Sequence, residues 1–144
     1  MADKISIKRL NPFLDNEGEL FEALRADDSL FDGAFGQNLV SIVKPNVIKG
    51  FHRHERQKEY TTCIKGNILY VAVTETPKEP LIQKFLIGED NRILIMTPPG
   101  IWHGYKALDK EAVVLYTMNR PYNPADTDTA ERDPLAFGKV WDRD

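Results

Sequence analysis

The sequence predicts an all-β protein, an antiparallel sandwich or barrel, and three observations carry that prediction. Strand signals are short, β-branched and evenly spaced; turn residues separate them; and the strand–helix–strand alternation of a parallel sheet is missing. The first strand signal is QNLVSIVK (37–44), followed by EYTTCIKG (59–66) and NILYVAVTE (67–75). PLIQKFLIG (80–88), RILIMT (92–97) and AVVLYTMN (112–119) complete the series. Pro45-Asn46, Gly66-Asn67, Thr76-Pro77, residues 88–91 and Pro98-Pro99-Gly100 supply the turns between them. ISIKRL, near the N-terminus, is a weaker strand signal. GELFEALRADDSLF (18–31) is the one stretch with helical spacing, setting Leu20, Leu24 and Phe31 roughly on one face, so a helix is expected there. The tail from Ala125 to Asp144 reads as polar and irregular.

At 144 residues the chain is expected to form one domain over 1–144, long enough to bury a core. A net charge of −3 argues against a nucleic-acid partner. The single cysteine, Cys63, excludes an internal disulfide framework and suits a reducing cytoplasm. It reads as a small core residue. No apolar run approaches membrane-spanning length, and MADKISIKRL lacks the apolar centre of a signal peptide. A cytoplasmic protein with no membrane partner is the expectation. Trp102 and Trp141 are expected in the core or at an interface.

The chain has three histidines, His52, His54 and His103. If residues 51–54 are extended, His52 and His54 point to the same side, because strand side chains alternate. Two imidazoles facing one interior are costly to bury unless something engages them. Glu59 follows five residues after His54, and His103 follows the Pro-Pro-Gly turn.

The spacing H-x-H-x4-E-x6-G, here His52, His54, Glu59 and Gly66, with His103 in PPGIWH, resembles the two signature motifs of the cupin superfamily. Those proteins are small double-stranded β-helix jelly rolls whose ligands point into the barrel. Asn46 stands where the first motif usually opens with Gly, and Asn is the next best residue for a left-handed turn. A longer resemblance runs in order from about Asn16 to Trp141. FGQNLVSIVKPNVIKGFHRH, NILYVAVTE, TPPGIWHGYKALDKEAVVLYTMNRPYNP and ERDP together are similar to the dTDP-4-dehydrorhamnose 3,5-epimerase group. Its most specific parts are Pro98 to Tyr105, and Tyr116 with Tyr122.

This resemblance implies a cupin jelly roll that inverts carbons beside the ketone of a nucleotide-linked 4-keto-6-deoxy-sugar, with no cofactor required. It implies that His52 is the general base and Tyr116 the opposing acid. Val114, Tyr116 and Met118 share a strand face, so a phenol facing a pocket fits. Gln37, Lys49, His103 and Tyr122 map onto substrate-binding positions, Lys49 standing for an arginine at the diphosphate, and Lys58, also expected to bind substrate, lies one residue from the group's lysine position. A homodimer, formed where the N-terminal strand covers a sheet edge, is implied as well.

Several positions depart from the group's pattern. His54 replaces a glutamine, Glu59 a lysine, and Thr74 an aspartate. The group orients its base with an aspartate beyond the last tryptophan; here only Asp142 or Asp144 could stand in. The exchanges create a set of His52, His54, Glu59 and His103 that suits Zn, Mn, Ni or Fe(II). Metal and base conflict over His52, since an imidazole that gives its lone pair to a metal cannot also take a proton. Two alternatives therefore stand beside the epimerase. One is a metal-dependent cupin, such as a dioxygenase or small-metabolite isomerase; the other is a non-catalytic sugar-binding cupin.

Overall fold

The computed structural model describes residues 4–125 and 127–143, and these form strands and no helix. Two five-stranded antiparallel sheets face each other. The first orders β1 (Ser6–Arg9), β9 (Ile93–Thr97), β6 (Glu59–Lys65), β11 (Ala112–Met118) and β4 (Gln37–Val43). The second orders β12 (Thr129–Glu131), β5 (Ile48–His54), β10 (Trp102–Ala107), β7 (Asn67–Thr74) and β8 (Leu81–Gly88). A separate hairpin pairs β2 (Phe13–Asp15) with β3 (Gly18–Leu20). From β4 to β11 the chain changes sheet at every connection except the β7–β8 hairpin, which is the jelly-roll path. The six strands expected from the sequence are β4, β6, β7, β8, β9 and β11, each within a residue of its expected ends. No helix among the described residues is long and apolar enough to cross a membrane.

Alternation explains how the sheets pack. On β7, Ile68, Tyr70 and Ala72 fill the space between the sheets with Val43, Cys63, Ile95 and Val114. Its alternate residues Leu69, Val71 and Val73 fill a second cluster on the outer face with Phe51, Trp102 and Trp141. Both faces of β7 are covered, so its sequence is a continuous apolar run rather than an alternating one. Cys63 is a core residue, as expected, and burial pushes its thiol up to about 11.

The helix expected over residues 18–31 does not form. Gly18 and Leu20 belong to β3, and the rest is turns and irregular chain. The cause is local hydrogen bonding by aspartate. Asp28 accepts the Arg25 N–H at 2.7 Å and the Lys8 ammonium at 2.7 Å. Its own N–H donates to the Arg25 carbonyl at 3.1 Å, closing a turn where a helix would have continued. Leu24 and Phe31 still pack against one cluster, with Tyr60, Leu94 and Met96 on the outer face of the first sheet. Leu20, the third residue of the expected face, is 70% exposed and outside this cluster.

The tail is also more ordered than its composition suggests. β12 pairs antiparallel with β5, and Val140 and Trp141 are buried. Both tryptophans are core residues. The Trp141 ring caps a close approach of two strands, where Gly50 faces Gly104. A Cβ on Gly104 would stand 2.7 Å from the Lys49 carbonyl oxygen, 2.8 Å from Gly50 Cα and 3.2 Å from the Trp141 ring. The lack of side chains at these two positions lets β5 and β10 bring His52 and His103 side by side. The N-terminal strand β1 lies along β9 of its own chain.

Candidate active site

A cavity of about 460 Å³ opens between the sheets, within the range of small-molecule sites. From the second sheet, β5 contributes Lys49, His52 and His54, and β10 contributes His103 and Tyr105. The first sheet contributes Glu59 of β6 and Tyr116 of β11. Tyr122, three-quarters exposed, stands at the rim.

Local structure accounts for each placement. His52 and His54 both face the cavity because they are two apart on a strand. His103 is the second residue of β10, not part of the preceding turn, and sits opposite His52 in the β5–β10 ladder. The turn before it is tied to β5 by the Gly100 N–H, which donates to the His54 carbonyl at 2.8 Å; Gly100 has φ +89°, a conformation that favours glycine. Glu59 arrives from the opposite sheet over the short connection 55–58. Asp128, itself buried, clamps that connection by accepting the Arg56 N–H at 2.8 Å and the Gln57 N–H at 3.2 Å.

Three of the four residues expected as metal ligands come together. The donor atoms of His54, Glu59 and His103 lie within 4.8 Å of one another. Glu59 Oε2 is 2.9 Å from His103 Nε2 and 3.4 Å from His54 Nε2. Burial pushes the Glu59 carboxyl upward, but the neighbouring His103 outweighs it and holds the group well below the usual carboxylate range. Burial pulls His103 down, and Glu59 reverses this to raise it above the ordinary imidazole value. The far nitrogens are engaged as well. His103 Nδ1 donates to the Ile101 carbonyl at 3.0 Å, and His54 Nδ1 lies 2.9 Å from Thr129 Oγ1.

His52 is outside this group, which corrects the expected four-ligand set. Its ring turns to β12, where Nδ1 is 4.0 Å from Glu131 Oε1, its register partner in the β12–β5 pair. Burial first, and the charge of His103 second, keep its pKa below the ordinary imidazole value. His52 is thus not one of the metal-type group, although His103, one of its two ladder partners, is. The carboxylate beside His52 is Glu131; the sequence pointed to Asp142 or Asp144 for an orienting group. Asp142 lines a different surface cavity, with Asn46, Lys106 and Arg143. Asp144 lies outside the described residues.

Tyr116, on the opposite sheet, is buried, and burial raises its hydroxyl well above the usual tyrosine range. Its hydroxyl meets that of Tyr105. Two expected substrate-binding residues do not line the cavity. Lys58 lies 3.9 Å from Asp32, and its N–H donates to Asn119 at 2.8 Å. Gln37 instead holds the rim, its side-chain oxygen accepting the Tyr122 N–H at 2.8 Å. Sequence reasoning missed Glu131, Asp128, Thr129 and Tyr105. For the β12 pair a faint signal existed: Thr129 and Glu131 flank Ala130 with strand alternation, and Ala130 packs on the outer cluster.

Fold and cavity together define a cupin-type jelly roll with acid–base groups on two facing sheets. The sequence model of the dTDP-4-dehydrorhamnose 3,5-epimerase family matches residues 3–143, and the chain belongs to that family. It is 32% identical over 132 residues to the spore coat polysaccharide biosynthesis protein SpsL of Bacillus subtilis, covering 89% of this chain and 87% of that one. It is 28% identical over 137 residues to the probable low-salt glycan biosynthesis epimerase Agl13 of Haloferax volcanii, covering 92% and 86%. Among solved structures, a dTDP sugar isomerase from Desulfovibrio desulfuricans matches with a TM-score of 0.82 at 23% identity, over 92% of this chain and 85% of that one. That likeness shows the fold.

Proposed function

We propose that the protein is an epimerase that acts beside the ketone of a nucleotide-linked 4-keto-6-deoxy-sugar. The observation that carries this reading is the origin of two side chains. His52 comes from the second sheet and Tyr116 from the first, and both line one cavity. A sugar ring held between the sheets has a base on one side and an acid on the other. His52, unprotonated, removes the proton α to the ketone, and Tyr116 returns one to the opposite face, inverting the centre. The Glu131 carboxylate, 4.0 Å from Nδ1, is beyond direct hydrogen-bond reach, and its charge favours the imidazolium formed when His52 takes the proton. Lys49 and Arg120 bring positive charge to the cavity lining, which suits an anionic diphosphate. The pocket works without a cofactor on this reading, in the cytoplasm.

In D2O, the untagged protein with a dTDP-linked 4-keto-6-deoxyhexose is expected to place deuterium beside the ketone and invert at least one centre. A substrate that gains no deuterium and keeps its configuration rejects the reading.

A second reading is favoured by the His54–Glu59–His103 group. Both imidazoles have an Nδ1 partner on the far side and turn Nε2 toward the carboxylate, the arrangement that metal-bound histidines use. These residues fit a divalent transition metal, Zn, Mn, Ni or Fe, which would polarise the sugar ketone while His52 remains free as the base. Elemental analysis after mild chelator dialysis tests it. One metal per chain, lost in His54→Ala and Glu59→Ala, establishes the site; protein without metal establishes Glu59 and His103 as a buried ion pair.

A further inference from the structure

Three residues from three strands gather behind the proposed acid, Tyr116. Tyr105 on β10 and Tyr116 on β11 belong to opposite sheets, yet their hydroxyls meet across the interior. Both rings are almost fully buried, with centroids 6.0 Å apart. Ser41, on β4, is the ladder partner of Val114, so its side chain stands on the same inner face as Tyr116, diagonally beside it. Lys49, the ladder partner of Tyr105 on β5, donates its ammonium to Ser41 Oγ at 2.9 Å. The one cation in this network is thus held at the hydroxyl that neighbours Tyr116.

The chemistry of reprotonation needs such a network. When Tyr116 gives its proton to the substrate carbanion, the O–H bond breaks, a C–H bond forms and a phenolate is left in a buried place. A buried anion without donors is costly. We propose that Tyr105 and Ser41 are positioning residues for Tyr116, holding the phenolate formed on proton transfer, and that Lys49 supplies charge and the resetting proton through Ser41. The cycle closes without an outside reagent. Ser41 O–H protonates the phenolate, Lys49 Nζ–H replaces the serine proton, and Lys49, exposed at the other end, regains its proton from water. This rests on Tyr116 being the acid, and it turns one of the three donors of Lys49 inward from the diphosphate expected from the sequence.

The test separates two outcomes of the same carbanion. In D2O with a dTDP-linked 4-keto-6-deoxyhexose, His52 alone can remove a proton and return deuterium to the same face, giving exchange with retention. Inversion requires Tyr116. Tyr105→Phe and Ser41→Ala are each expected to slow inversion by roughly 10²-fold with KM little changed, as for loss of one preorganised donor. Exchange with retention should persist, so its ratio to inversion rises. Lys49→Gln should shift the ratio the same way, and Lys49→Arg, which keeps the charge but does not release a proton, should recover it only in part. Inversion within about twofold of wild type in Tyr105→Phe and Ser41→Ala overturns the proposal, as does an equal loss of exchange and inversion. A wild-type protein that neither exchanges nor inverts overturns this proposal and the epimerase reading together; unchanged variants beside an active wild type overturn this one alone.

Discussion

Replacement of His52 by alanine should lower the rate of epimerisation by roughly 10²–10⁴-fold, the usual contribution of a positioned general base, with the fold intact. The two halves of that expectation have separate causes. The His52 side chain is 40% exposed and belongs to none of the apolar clusters, so its removal opens no cavity in the core. Its nearest acidic group is Glu131 at 4.0 Å, on the exposed C-terminal strand, which can relax into water. Deuterium uptake beside the ketone reports the first half, because it needs proton removal whatever face is reprotonated. Thermal melting reports the second. Uptake within about tenfold of wild type would remove His52 from the role of base, whereas a large fall in melting temperature would make it structural.

Trp141→Ala should produce the largest loss of stability, about 3–5 kcal/mol, as expected for truncating a buried tryptophan. The indole is 6% exposed and packs at 5.0 Å, tilted by 33°, against Phe51, which meets Phe137 edge-on at 5.1 Å. Its N–H donates to the Pro134 carbonyl at 2.7 Å, so truncation also leaves that acceptor without its donor. A loss of this size is a large part of the total stability of an ordinary domain. The effect should reach the cavity too. Trp141 covers the Gly50–Gly104 approach, and those glycines neighbour the strands' two histidines, so the variant should show a raised KM at temperatures where it remains folded. Urea unfolding of both proteins, read by tryptophan fluorescence and circular dichroism, measures the difference. A midpoint unchanged from wild type would show that the C-terminal segment contributes nothing to holding the second sheet.

The replacement of Gln by His at residue 54 and of Lys by Glu at residue 59 does not dismantle the proposed acid–base pair. His54 and Glu59 form their own buried group with His103, while His52 and Tyr116 keep their places on opposite sheets. The acidic group beside His52 is Glu131 of β12, at 4.0 Å.

Six strands and the shared face of His52 and His54 were determined by the sequence itself, because both depend only on side-chain alternation and on turn residues next in the chain. The resemblance carried by Pro98 to Tyr105, Tyr116 and Tyr122 was equally a property of the sequence. Tertiary structure decided the rest. Residues 18–31 have helical spacing, but Asp28 bonded to Arg25 and Lys8 turned them into a covering loop. The polar tail became β12 because β5 offered it a free edge, and Val140 and Trp141 had an apolar face to cover. The meeting of Tyr105 with Tyr116, and the separation of His52 from Glu59, depend on how the two sheets stack and on the ladder register between strands far apart in the chain. Local periodicity says which way a side chain points; only the packing of one sheet on another decides what it meets there.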